Sequence, residues 1–512
     1  MNIVFLNNIL EFTHKIFESK WFKYTALIVF SIIIGCLKFN HIFERDESQV
    51  LLIVNNNRNI FDLFGTFGYE GTTGLWHVLL WFFSWIIPIT PLSASIIHFT
   101  IIILFVWFLF FKIELPLIFK LLFLTQISML WFCLSVRQYI FIPLLLSFFI
   151  YNFSKKNKLW INLSIVLIMQ IHVTSVPIAI SLWIYFILNE IRVKNNIFKI
   201  INLIPIAGLI VAIIQLMPPI DLTEGLRIWK PIDSINSIIS FLSLSFNKIF
   251  KFNSIILSAI FSLLLLYPVI KGLIKNRKHF LICFFSFLFC FGIFLFIGIT
   301  KYLGLKHYYL LFYTLLTFIV LVSINQKMRY NKIWYIALIP LFVYSAYLMR
   351  VKIADYMYAP FSYANKVAYC LDENYKDKTV LIIPEHEYSS VILYRTRSTP
   401  IFSLRRNEYY KYTIWNHPCV DHQLNKEISS VKVSELTKEI KNVPVEILKK
   451  NPVLVISSAV PTILTDETGV PVTYNIKINN NIELKFIKSF DGNSLNFLTE
   501  KFILYEVNYK DY

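Results

Sequence analysis

The chain has 512 residues, 56% of them hydrophobic and 48 of them phenylalanine, and its mean hydropathy is +0.60. That much apolar surface excludes a water-soluble globular protein and indicates repeated membrane-spanning runs. The net charge of +18 does not mark a nucleic-acid binder, because residues 1–350 hold 29 Lys/Arg against 12 Asp/Glu, whereas residues 351–512 hold 20 against 19. The surplus belongs to short loops between apolar runs, which makes it a topology signal.

In chain order, Met1–Tyr24 lacks a small-residue cleavage site, so Thr25–Asn40 is expected to be a retained first span. Lys15, Lys20 and Lys23 place the N-terminus inside and the next stretch, His41–Trp76, outside. This stretch holds five of the twelve acids of the first 350 residues (Glu44, Asp46, Glu47, Asp62 and Glu70) and has Gly65, Gly68, Gly71 and Gly74 at steps of three. Polar groups in so apolar a chain are costly unless they line a wet cavity or an interface. The expectation is an outer loop (41–76) that the rest of the chain serves as scaffold.

Between Gly74 and Phe153 lie four apolar runs, broken near Pro88–Pro91, Lys112–Pro116 and Arg137. The charge rule requires an odd number of crossings here. Either one run is a half-helix in the outer interface, or a span escapes the reading. Inner loops are marked by Lys155, Lys156 and Lys158, by Arg192, Lys194 and Lys199, by Lys271, Lys275, Arg277 and Lys278, and by Lys327, Arg329 and Lys332. Between the first two of these lies a hairpin of two short spans with its tip, His172–Pro177, outside. A second outer loop (217–251) carries Asp221, Glu224 and Asp233, which puts eight of the twelve acids on the outer side. The last span, near Ile333–Met349, exits outward. The count is roughly eleven spans, with residues 1–350 as a multi-span domain and residues 351–512 extracytoplasmic.

The tail changes period. Ser362–Asn374 and Val433–Val443 read as helices, and Thr379–Pro384, Pro452–Ser457, Ile482–Phe490 and Lys501–Val507 as strands. That alternation predicts a small α/β domain with a partly parallel sheet. No glycine-rich phosphate fingerprint follows a strand, which argues against nucleotide binding. Cys36, Cys133, Cys283 and Cys290 sit in or beside apolar runs and act as small hydrophobes. Cys370 and Cys419 lie in the tail, where they either pair or stay free.

Asp46-Glu47 is the leading candidate for chemistry. A carboxylate just beyond the first span would meet both a lipid-borne donor and an acceptor. Glycosyl transfer from a polyprenyl phosphate needs a general base on the acceptor hydroxyl and cations on the leaving phosphate. The plainer alternative is two solvated loop carboxylates. Glu70, amid the glycines, would bind a sugar hydroxyl or assist Asp46, and successive backbone N–H groups there would form an anion nest; a flexible connector is the alternative. Arg137, Lys301, Lys306 and His307 break the charge rule at outer ends of spans. Arg137 is the expected donor-phosphate ligand, whereas Lys301 is read as snorkelling to lipid. His172 is a candidate binding residue that would otherwise be a packed histidine at a hairpin tip.

An acidic pair after the first span, followed by a long outer stretch ending in an aromatic-rich run, resembles the GT-C superfamily of membrane glycosyltransferases. The similarity is greatest to its protein-mannosyltransferase and aminoarabinose-transferase branch. Bacterial members carry Tyr-Glu-Gly-His-Pro-Gly-Leu-Trp; this chain has Tyr69-Glu70-Gly71-Thr72-Thr73-Gly74-Leu75-Trp76, with two threonines in place of His-Pro. Ser135-Val136-Arg137-Gln138-Tyr139, Lys306-His307 and Pro360-Phe361-Ser362 are also similar. The resemblance implies a polytopic α-helical membrane protein of GT-C-like fold with a small C-terminal extracytoplasmic α/β domain, in a bacterial inner (plasma) membrane. It implies a polyprenyl-phosphate sugar donor; an in-line displacement on that donor would invert the anomeric centre, and the acceptor, a glycan, lipid or protein of the cell envelope, stays open. No cofactor, metal or nucleic acid is expected. The competing classes are a polysaccharide polymerase or lipid-linked sugar transporter, and a non-enzymatic envelope receptor or assembly protein.

Overall fold

A computed structural model describes residues 19–70, 72–114, 117–193, 200–217, 274, 276–300, 305–324, 333–358, 362–383, 389–395, 401–403, 408–409, 431–458, 464–465, 472–490 and 501–510. The second outer loop (218–251), Lys301 and Cys419 lie outside the described residues. The first part is helical: α1 (Lys20–Phe39), α2 (Arg45–Asn56), α3 (Ile60–Glu70), α4 (Leu75–Ser84), α5 (Pro91–Phe111), α6 (Leu117–Leu124), α7 (Ile127–Leu134), α8 (Phe141–Ser154), α9 (Lys158–Met169), α10 (Val176–Arg192), α11 (Ile200–Leu216), α12 (Arg277–Thr300), α13 (Leu305–Ile324) and α14 (Ile333–Tyr358).

Among the described residues, four helical stretches are long and apolar enough to cross a membrane: Lys20–Phe39, Pro91–Phe111, Val173–Arg192 and Arg277–Phe296. The ends of these helices follow local rules. Ser19 caps α1 by accepting the Phe22 N–H at 3.2 Å. Thr90 caps α5 the same way, with Pro91 at its first position, where the missing N–H costs nothing. The outer face of α1 shows Trp21, Ile28 and Ile32, a surface that suits hydrocarbon and not water.

The expected loop 41–76 is two helices, α2 and α3, leading into α4. Gly65 therefore sits inside a helix, and the expected anion nest does not form there. The four apolar runs between Gly74 and Phe153 also resolve. The first is the ten-residue α4, only about 15 Å long, too short to cross roughly 30 Å of hydrocarbon. The third is broken into two eight-residue helices, α6 and α7. The hairpin α9–α10 turns at the expected tip. Its base is closed by an ion pair between Lys158 and Glu190. The helix expected to end near Met349 continues to Tyr358.

The tail comprises α15 (Ala364–Asn374), β1 (Val380–Ile383), α16 (Ser389–Tyr394), β2 (Ile401–Ser403), β3 (Glu408–Tyr409), β4 (Val431–Lys432), α17 (Val433–Lys441), α18 (Val445–Leu448), β5 (Val453–Ser458), β6 (Leu464–Thr465), β7 (Ile476–Lys477), β8 (Ile482–Phe490) and β9 (Lys501–Tyr509). A seven-stranded sheet runs β3-β2-β1-β5-β9-β8-β7. It is parallel at β2-β1-β5 and antiparallel at β5-β9-β8-β7, the mixed sheet that the alternating elements predict. The all-apolar run Val453–Ile456 is completely buried because β5 is central and covered on both faces. The tail is packed onto the membrane half: α16 lies on α2, and the Tyr394 hydroxyl accepts the Phe43 N–H at 2.8 Å.

Candidate functional site

The site forms where a helix breaks. After α7, Ser135 and Arg137 are extended before a short 3-10 turn at Gln138–Ile140. Broken backbone in a buried setting persists only where other groups satisfy its N–H and C=O. Here buried side chains from three other elements do so. Lys38, completely buried at the end of α1, donates Nζ to the Cys133 and Leu134 carbonyls at 2.9 and 3.0 Å, satisfying two carbonyls at the end of α7. His98 of α5 donates Nε2–H to the Arg137 carbonyl at 3.1 Å. Glu47 of α2 accepts the Val136 N–H.

Glu47 is thereby saturated. Its carboxylate also takes His41 Nε2 at 2.8 and 2.9 Å and the Glu44 N–H at 2.8 Å, and it is 0% exposed. Burial pushes its pKa up. The His41 charge and hydrogen bonds from His41, Val136 and Glu44 outweigh that and hold it below the ordinary carboxylate range. The sequence pairs Glu47 with Asp46 as a catalytic carboxylate; the geometry instead makes Glu47 the residue that positions strip 135–137.

Asp46, one residue earlier on the same helical turn, faces elsewhere. Its side chain is 21% exposed, and it pairs with Arg45 Nε at 3.0 Å and with Arg137, itself 12% exposed. Burial works against the Arg137 charge, but Asp46, Tyr139 and the neighbouring Glu44 and Glu47 push its pKa above the ordinary value. The guanidinium lies 5.3 Å from the centre of the Tyr139 ring, a favourable cation–π distance. Tyr139 in turn lies 5.4 Å from the His172 ring.

Four sequence candidates, Asp46, Glu47, Arg137 and His172, therefore meet at one place. His172 is held there by its own turn: Nδ1 is 2.8 Å from Thr174 Oγ1 and accepts the Thr174 N–H. Glu70 ends α3 and Lys306 and His307 open α13; their side chains lie outside the described residues. Thr72 and Thr73 are buried, and Thr72 Oγ1 accepts from Gln138 Nε2 at 3.3 Å.

Beside the site runs a groove of about 480 Å³ between α1 and α14, lined by Ile32, Leu37, Ile353 and Tyr356, with Asn40 and His41 at one end. His41 thus belongs both to the apolar groove and to the Glu47 ion pair. Sequence reasoning missed His41, Lys38, His98 and Tyr394. Only His41 left a signal, being the first polar residue after the first apolar run and within the acidic stretch. Lys38 reads as a basic residue at a helix end, and its burial depends on α5 and α7 packing against α1. The chain matches no family model, no curated protein and no solved structure.

Proposed function

We propose that this protein is a membrane glycosyltransferase that takes a sugar from a polyprenyl-phosphate carrier at the outer face. The observation that carries the reading is Arg137, a shielded guanidinium paired with Asp46, one residue from Glu47, whose partner His41 lines the apolar groove. A donor phosphate competes with Asp46 for the planar fork of Arg137. When the phosphate takes the guanidinium, Asp46 is released as a base within reach of an acceptor hydroxyl.

The displacement then balances. The acceptor oxygen forms a bond to the anomeric carbon on the face opposite the phosphate, and the carbon–oxygen bond to the phosphate breaks. The phosphate leaves with the electron pair, and the acceptor proton passes to Asp46. The anomeric centre is inverted. Glu47, His41 and Lys38 position the strip that presents Arg137.

A second reading, a polysaccharide polymerase whose acceptor is itself lipid-linked, is favoured by one feature: Asp46 is already engaged by two arginines and would serve only to orient Arg137. A free-standing receptor tail is disfavoured, since α16 is packed on the helix that bears Asp46. The test is to reconstitute the full chain and measure transfer from a panel of hexosyl polyprenyl phosphates. Asp46→Asn should lower turnover by about 10²–10⁴ and tighten donor binding. Turnover that survives the substitution undiminished removes Asp46 as the base and leaves the polymerase reading with another proton acceptor.

A further inference from the structure

Around Arg137 lies a set of side chains that the mechanism above does not use. Thr73, Trp76, His77 and Gln138 are each at least nine-tenths buried. Yet Thr73 Oγ1, Trp76 Nε1, both ring nitrogens of His77 and Gln138 Oε1 have no hydrogen-bond partner among the described residues. Buried polar atoms are almost always paired, because leaving one unmatched forfeits its hydration. A cluster of unmatched ones therefore marks a place where something polar sits.

Contacts bring the two segments that carry these atoms together. Gln138 reaches Thr72 at 3.3 Å, and Trp76 packs against His98 and Phe141 at centroid distances of 5.7 and 6.1 Å. His98 holds the Arg137 carbonyl. So segment 72–77 lies against segment 137–141. The Gly74 N–H is fixed to Gln215 Oε1 at 3.3 Å, and the Leu75 N–H to the Gln170 carbonyl at 2.8 Å. Phe67 packs on the other side of His77, 5.2 Å between ring centres.

The unmatched groups identify the ligand class. An anion would call for donors alone, a cation for acceptors alone, and a hydrocarbon for neither. Here the two kinds are mixed. Trp76 can only donate, Gln138 Oε1 can only accept, Thr73 can do both, and a neutral His77 brings one of each. Ligand hydroxyls, which both give and take, match such a set, and aromatic rings beside them suit the apolar face of a pyranose.

We infer that the junction of residues 72–77 with residues 137–141 is a subsite for a neutral, hydroxyl-bearing sugar ring, recognised by Thr73, His77 and Gln138 next to the phosphate ligand Arg137. The inference rests on the lipid-carrier reading for the origin of the sugar. The two threonines are then the recognition element of this chain at that position.

The test is equilibrium binding to the detergent-purified full chain of bare polyprenyl phosphate, a panel of hexosyl polyprenyl phosphates, and methyl hexosides. In the unaltered protein at least one hexosyl carrier should bind about tenfold more tightly than the bare carrier, the worth of one or two net hydrogen bonds. Thr73→Val and His77→Leu should each abolish that preference while bare-carrier affinity is unchanged, and Thr73→Ser should retain it. Two results overturn the subsite: the preference survives both substitutions, so that the junction holds only water, or both ligands weaken together, so that the residues are merely structural. If no polyprenyl ligand binds but a methyl hexoside binds the unaltered protein and not Thr73→Val, the carrier reading fails and the subsite stands. If nothing binds, both fail.

Discussion

Asp46 and Arg137, 91 residues apart in sequence, form an ion pair that joins the first turn of α2 to the break after α7. Both partners are shielded without being sealed, which suits a pair that a phosphate can open. The consequence is measurable as coupling. Asp46→Asn is expected to lower turnover by about 10²–10⁴, the usual worth of a general base, while donor binding tightens because the carboxylate no longer competes for Arg137. Arg137→Lys keeps the charge and loses the fork, so it should weaken donor binding first. A double-substitution cycle on donor affinity should show coupling between the two sites; strictly additive effects would refute competition between Asp46 and the phosphate.

Glu47 should act on stability and on its pH dependence. Its pKa is lowered on folding, so the unfolded chain binds the proton more tightly. The stability it contributes is present above the ordinary carboxylate value and disappears as the pH falls through the lower, folded value. Thermal unfolding in detergent should therefore show stability falling from about pH 4.5 downward, and Glu47→Gln should flatten that limb. The substitution also removes the Glu47 side of the buried His41–Glu47 pair, and breaking such a buried pair costs about 3–5 kcal/mol.

A tail hydroxyl on α16 helps to hold the site, alongside the packing of α16 on α2. Tyr394→Phe leaves the Phe43 N–H, 2.8 Å from the tyrosine oxygen, without that acceptor, a loss of about 1–3 kcal/mol for a buried group. Hydrogen exchange at residues 41–47 should accelerate, and exchange in the central strand β5 should not. Unchanged exchange at 41–47 would show that α16 rests on α2 without restraining it.

Gly74 is required by packing. A Cβ there would come within 2.1 Å of the Phe67 ring, and that ring is completely buried. Gly74→Ala should destabilise by about 1–3 kcal/mol, the usual cost of overpacking. Adding Phe67→Leu should recover most of the loss. Failure of the second substitution to rescue would place the requirement in the Gly74 backbone instead.

Sequence alone determined what depends on local pattern. The apolar runs that become α1, α5, α10 and α12, the helical hairpin turning near His172, and the tail strands Val453–Ser458 and Ile482–Phe490 were all legible, because burial period and length are written into neighbouring residues. The polar stretch 41–76 was legible as a cluster but not as helices, since acids and glycines at short spacing suggest a loop, and tertiary contact with α4 and α16 pays for the ordering.

Only the tertiary structure decided what those polar residues do. Asp46 and Glu47 are identical in kind and adjacent in sequence, yet one is turned to Arg137 and the other is sealed against His41 and Val136. Helical geometry sends consecutive side chains about 100° apart, so neighbours in sequence meet different surroundings. The break at 135–137 fixes which of them meets which. That break is written in no motif, because the groups that satisfy it, Lys38, Glu47 and His98, come from α1, α2 and α5.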